Sequence, residues 1–206
     1  MGTTMQSNFI EKSRIETKEF FRRENVISES REEFLLDGGK YRVVKNCFRQ
    51  TKIDCNWISS EVEVFDRKGN LIKSVLIDDS SFFHHFLMSK GNDYLIFSEV
   101  LCGGYSVLNL NTGELAGFCD GQDGFICTSF YPSSNTDKLA VSGCWWGTPY
   151  YVLVFNIQNI ELLPWAILKE IALEDSEELE LQWHGDELHI FSKVNERISF
   201  SRKFDV

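Results

Sequence analysis

The sequence predicts an all-β fold made of four successive units, each an up-and-down set of four antiparallel strands. Three observations carry that prediction. Short apolar runs rich in β-branched and aromatic residues, such as Glu61-Val-Glu-Val-Phe65 and Tyr150-Tyr-Val-Leu-Val-Phe155, recur along the chain, many with period-two alternation. One strand–turn–strand element returns at near-constant spacing. A second hairpin element repeats in register with the first.

The first element runs from Phe34 to Tyr41 across Asp37-Gly38-Gly39 and from Phe86 to Tyr94 across Lys90-Gly91. It returns from Phe130 to Leu139 across Ser133-Ser134 and from Trp183 to Leu188 across Gly185. Taking Tyr41, Tyr94, Leu139 and Leu188 as equivalent gives spacings of 53, 45 and 49 residues. Four strands in a unit of that length make a β-propeller blade. Strands are expected at 33–37, 40–48, 60–66 and 70–77 in the first blade, and at 83–88, 93–99, 104–110 and 114–118 in the second. The third blade takes 126–131, 138–142, 149–156 and 165–172, and the last unit supplies only 179–183, 187–192 and 197–204. The chain is thus one domain, 1–206, with blades at about 33–79, 81–119, 125–173 and 178–206. The strand missing from the fourth blade is expected from Ser13-Arg-Ile-Glu-Thr-Lys-Glu-Phe-Phe21, because closing the ring removes an exposed edge. The same residues, rich in Glu and Lys, suit a docked helix within 1–24 as the alternative. Short strands alone also permit a β-sandwich, and the in-register repeats favour the ring.

The second element is Phe65-Asp-Arg-Lys-Gly-Asn-Leu71 and Leu108-Asn-Leu-Asn-Thr-Gly-Glu-Leu115; Phe155-Asn-Ile-Gln-Asn-Ile160 keeps its Phe-Asn start without the glycine. An Asp or Asn side chain there accepts from the backbone N–H groups that follow it, and Gly supplies a positive φ. On these residues, and on the stretch from Phe130 through Pro164 with Ser142-Gly-Cys-Trp-Trp-Gly-Thr-Pro-Tyr150, the chain resembles the WD40-like β-propeller repeat superfamily. The resemblance covers about residues 33–200 and implies a small propeller-like fold. No blade has the Trp-Asp dipeptide or a Gly-His start, so it transfers no function.

The composition narrows the function classes. The chain has 206 residues, 21 Lys+Arg against 31 Asp+Glu, a formal charge of −10, and 43% hydrophobic residues, enough apolar surface to offset the entropy of ordering. A net anion is repelled by nucleic acid and by anionic membranes, so neither is expected as a partner. The first residues lack the apolar core of a secretory signal, and no run approaches the roughly 20 apolar residues of a membrane span. Six cysteines spread over a chain of this length read as reduced, and a cytoplasmic setting is expected. There is no Walker A loop, Gly-x-Ser-x-Gly or Gly-x-Gly-x-x-Gly, and Asp120-Gly-Gln-Asp-Gly124 lacks the full ligand set of a calcium loop. His84 and His85 alternate to opposite faces of a strand and do not chelate together. No catalytic residue, metal or cofactor is expected.

Topology then places the candidate site. In an up-and-down blade the second and fourth strands end on the same side. Loops joining strands two and three therefore share one face with the loops between blades, and rigid scaffolds carry function on such loops. Trp57, Trp145 and Trp146 are the expected aromatic anchors there, with Asp78, Asp79, Asp120, Asp123, Glu174 and Asp175 as an acidic rim for a basic protein partner. With Glu177 and Glu178, the acids of the three blade-to-blade loops supply −8 of the −10 charge. The blander reading has the tryptophans packing between blades and the cysteines as small buried hydrophobes. A metal or catalytic centre of Cys47, Cys55, Cys102 and Cys144 lacks the Cys-x-x-Cys spacing of a structural zinc site. The expected function is a non-enzymatic protein-interaction module. The alternatives are a small hydrolase or lyase with an axial site, and an acidic neutralising protein of the immunity type.

Overall fold

The computed structural model describes residues 8–22, 25–51, 57–101, 103–121, 124–145, 150–173, 178–194 and 197–206. The alternating runs form four antiparallel sheets, each following the last in sequence. The first holds β1 (Val26–Leu36), β2 (Tyr41–Gln50), β3 (Ile58–Asp66) and β4 (Leu71–Ile77). The second holds β5 (His84–Ser89), β6 (Asn92–Val100), β7 (Gly104–Asn109) and β8 (Leu115–Cys119). The third holds β9 (Ile126–Pro132), β10 (Lys138–Cys144), β11 (Tyr150–Asn156) and β12 (Ala166–Ala172). The fourth holds β13 (Glu178–His184), β14 (Glu187–Val194) and β15 (Arg197–Asp205). This matches the up-and-down arrangement of a four-bladed propeller, with three blades of four strands and one of three among the described residues instead of four blades of four.

The turns form as their chemistry dictates. The Asp66 carboxylate accepts from the N–H groups of Lys68 and Asn70, both at 2.8 Å, and Gly69 takes φ +84°. Asn109 Oδ1 accepts from Asn111 and Thr112 at 3.0 and 3.2 Å, and Gly113 takes φ +76°. Asn156 does the same to Gln158 at 3.0 Å without a glycine. Each side chain satisfies turn amides that have no ladder partner.

Alternation along the central strands feeds two cores at once. In β6, Tyr94 and Ile96 pack toward the third sheet while Leu95 and Phe97 pack toward the first. In β10 and β11, Leu139, Val141, Leu153 and Phe155 face the second sheet, and Ala140, Val152 and Val154 face the fourth. The middle blades are therefore apolar on both faces, each fully buried Leu, Ile, Val or Phe stabilising by about 1.5–3 kcal/mol. A polar tie joins blades one and two at the hairpin end. Tyr41 donates to buried Asp93 at 2.6 Å, and Lys40 pairs with the same carboxylate oxygen.

The N-terminal segment does not supply the closing strand expected from Ser13–Phe21. Residues Asn8–Phe20 form helix α1, and among the described residues the fourth sheet has three strands. Ion pairs Glu11–Arg14, Lys12–Glu16 and Glu19–Arg22 lie at helical spacing along this segment. Ile10, Arg14 and Thr17 share a face that settles on the second sheet, where Ile10 packs with Val100 and Cys119. Gly117 is what admits the helix: a Cβ there would sit 2.6 Å from the Arg14 guanidinium and 2.8 Å from the Ser106 hydroxyl. At the other end of the stack β1 is largely solvent-facing, with Ile27 and Leu35 exposed. Among the described residues no buried cluster joins the first sheet to the fourth. No helix among them is long and apolar enough to cross a membrane.

Candidate functional site

A chain of contacts gathers the loops that follow second and fourth strands along one end of the stack. Between β2 and β3, Trp57 donates its indole N–H to the Asp78 carbonyl, in the loop after β4, at 2.7 Å. The Ser60 hydroxyl donates to the Asp79 carbonyl at 2.7 Å, and Lys45 reaches the Ser80 carbonyl at 3.1 Å. The Asp78 carboxylate in turn accepts the Leu101 N–H, in the loop after β6, at 2.8 Å. That loop crosses the one after β8 so closely that a Cβ on Gly103, which has φ +104°, would lie 2.2 Å from the Gly124 backbone. Phe125 then meets Trp145, in the loop after β10, edge-on at 4.9 Å. Leu173, after β12, donates its N–H to the Tyr150 carbonyl at 3.0 Å.

The expected site residues fare differently within this face. Trp57 is 43% exposed although its N–H is fixed. Asp78 and Asp79 are half-buried; the Asp78 carboxylate accepts the Leu101 N–H, and the Asp79 carboxylate accepts the N–H of the adjacent Ser80. Burial pushes the Asp78 carboxyl up to about 6; the Leu101 N–H opposes this, and the charges of Asp79 and Glu99 add to it. Asp120 is exposed and makes no ion pair or hydrogen bond among the described residues. Trp145 is half-buried, its ring edge-on to Phe125 and to Tyr151, each at 4.9 Å. Trp146, Asp123, Glu174 and Asp175 lie outside the described residues, as do Cys55 and Cys102. Of the other cysteines, Cys47 is buried and Cys144 half-buried. Among the described residues no group of three or more His, Cys, Asp or Glu side chains converges.

Two features escaped the sequence. Glu99, deeply buried, takes a forked pair from Arg14 of α1 and a hydrogen bond from Ser106. Between blades two and three lies a cavity of about 310 Å³, lined by Tyr105, Phe118, Phe125, Trp145, Phe155 and Trp165, with Asp120 on its wall. The register made part of it legible: pairing Leu108 with Leu115 across the Asn109 turn sets Tyr105 opposite Phe118. Trp165 comes from a loop after β11 whose Ile157 and Ile160 are buried, and its indole N–H is held by the Ile160 carbonyl at 2.9 Å.

No protein-family description matches the chain, and no curated protein matches it. Among solved structures it is similar to the β-propeller domain of Cps50 (Swd1) from Myceliophteria thermophila, at 8% identity and a TM-score of 0.39, over 83% of this chain and 72% of that one. No residue role is drawn from it.

Proposed function

We propose that the chain is a non-enzymatic protein-interaction module that takes a basic protein on its loop end. Trp57, Trp145 and Trp146 serve as aromatic anchors, and Asp78, Asp79, Asp120, Asp123, Glu174 and Asp175 supply the negative field that guides the partner in. The observation that carries this reading is Trp57, an exposed indole locked in place by the Asp78 carbonyl. A large aromatic surface already fixed in one pose loses little entropy on binding, which is how a hot spot is built. By sequence, the segments between consecutive blades carry Asp78, Asp79, Asp120, Asp123, Glu174, Asp175 and Glu177 and no Lys or Arg. Such a field raises association rates and is screened by salt.

The test is capture from native lysate on the immobilised chain, at about 0.1 M and about 0.5 M salt, where the Debye length falls from about 10 Å to roughly half of that. A basic protein retained at low salt, released at high salt and lost with Trp57→Ala or Trp146→Ala, the β circular-dichroism signal being unchanged, supports the reading. Retention indifferent to salt and to both substitutions overturns it.

A further inference from the structure

We infer that the cavity between blades two and three is a binding site for an alkylated ammonium group. This goes beyond capture of a protein, since it is a property of the isolated chain toward a small organic cation. Among the described residues six aromatic rings line the cavity: Tyr105 and Phe118 from the second blade, Phe155 and Trp165 from the third, and Phe125 and Trp145 from the loops before β9 and after β10. Its volume, about 310 Å³, lies at the small end of ordinary ligand sites, which suits a compact head group better than an extended ligand.

Charge selects the occupant. Asp120 contributes to the wall, is exposed, and has no ion-pair partner among the described residues. None of the described residues lining the cavity is a Lys, Arg or His. An anion or a neutral apolar ligand leaves Asp120 unused, whereas a cation is drawn both by it and by the negative faces of the rings. A compact, strongly hydrated inorganic ion gives up too much hydration to enter an aromatic lining. An ammonium whose charge is spread over methyl groups gives up little and also buries apolar surface. The rings are set in advance. Tyr105 stacks on Trp165 at 4.6 Å, and its hydroxyl oxygen accepts the Trp165 backbone N–H at 3.3 Å. Burial holds the Tyr105 phenol above its ordinary range, and the Asp120 charge works in the same direction, so the ring stays neutral at physiological pH.

The experiment titrates the intact chain with tetramethylammonium chloride, against sodium chloride of equal ionic strength, while following indole N–H resonances. The Trp145 and Trp165 signals are expected to shift saturably. Trp183, which donates to the Tyr131 carbonyl between blades three and four, is expected to stay put. Choline presents the group as a free molecule and capped Nε-trimethyl-lysine presents it on a side chain, so the tighter of the two names its source. The neutral isostere 3,3-dimethyl-1-butanol should bind about tenfold more weakly than choline. Trp145→Leu should weaken binding by about tenfold or more, and Asp120→Asn by several-fold. Asp120 is exposed, so its variant keeps the test open even where Trp145→Leu disturbs Phe125 and Tyr151. Equal affinity for the neutral isostere, indifference to Asp120→Asn in a folded chain, or no saturable shift at Trp145 and Trp165 overturns the assignment.

Discussion

Arg14 and Glu99 meet as a fork, Nε to Oε1 at 2.7 Å and Nη2 to Oε2 at 2.9 Å, across 85 residues of sequence. Glu99 is only 3% exposed on its side chain, so Arg14 is what makes its burial tolerable, with Ser106 filling one more acceptor site. Removing one partner of such a pair leaves an uncompensated buried charge. Arg14→Ala is expected to destabilise the fold by about 2–4 kcal/mol, read from urea unfolding. The double variant Arg14→Met/Glu99→Leu should recover most of that loss, because neither charge then has to be desolvated. If the single variant is neutral, α1 is not held by this pair.

Asp93 makes a second prediction. It accepts from Tyr41 at 2.6 Å and pairs with Lys40, tying blade one to blade two at the hairpin end. Tyr41→Phe removes one donor and should cost about 1 kcal/mol. Asp93→Ala leaves the buried Tyr41 hydroxyl without its acceptor and should cost more, about 2–3 kcal/mol. Equal effects of the two would mean that the carboxylate contributes nothing beyond the tyrosine bond.

The Asp78 carboxyl gives the loop end a pH dependence with a definite sign. Burial raises it from the ordinary 3.8 to about 6, so the folded chain holds that proton more tightly than the unfolded chain does. The stability it contributes is complete below about pH 4 and is lost as pH rises through about 6. Asp78→Asn keeps the acceptor for Leu101 and carries no charge, so it should match the parent near pH 4 and exceed it by about 1–3 kcal/mol at pH 7.5. His84, whose ring lies against both Phe34 and Phe82 at 4.7 and 4.6 Å, has its pKa lowered by burial. Its contribution runs the other way, present above pH 6.5 and lost as pH falls, and it cancels in the difference between the two chains. A difference that grows toward low pH contradicts the assignment to Asp78.

Gly103 tests whether the loops are locked to one another. With φ +104° and the Gly124 backbone 2.2 Å from where a Cβ would sit, no side chain fits without moving a loop. Gly103→Ala is expected to speed amide exchange in the loops after β6 and β8 while leaving β10 and β11 protected. Unchanged exchange in those loops would show that the crossing is not tight in solution.

The local chemistry of this fold was legible and the long-range chemistry was not. The Asp66, Asn109 and Asn156 turns follow from residues a few positions apart, so their hairpins and the blade repeat could be read directly. The strand expected at 33–37 begins seven residues earlier, at Val26, because polar Ser28 to Glu33 face solvent and leave no alternation to read. The N-terminal sequence suits an edge-closing strand and, as the alternative, a docked helix. What settles it is Arg14 finding Glu99 and Ile10 finding the gap over Gly117, neither of which has a local signature. The site divides the same way. Trp57 and Asp78 could be placed on one face by topology alone, whereas the stack of Tyr105 on Trp165, 60 residues apart, depends on how two blades pack.

The central claim is that the loop end is the surface that meets a partner, and hydrogen exchange with a captured protein bound tests it most directly. Slowed exchange in 57–60, 78–83 and 119–125, with the hairpin-end segments 37–40, 90–91 and 111–114 unchanged, is the predicted result. Protection concentrated at 37–40, 90–91 and 111–114, with the loop end exchanging as freely as in the isolated chain, would contradict it.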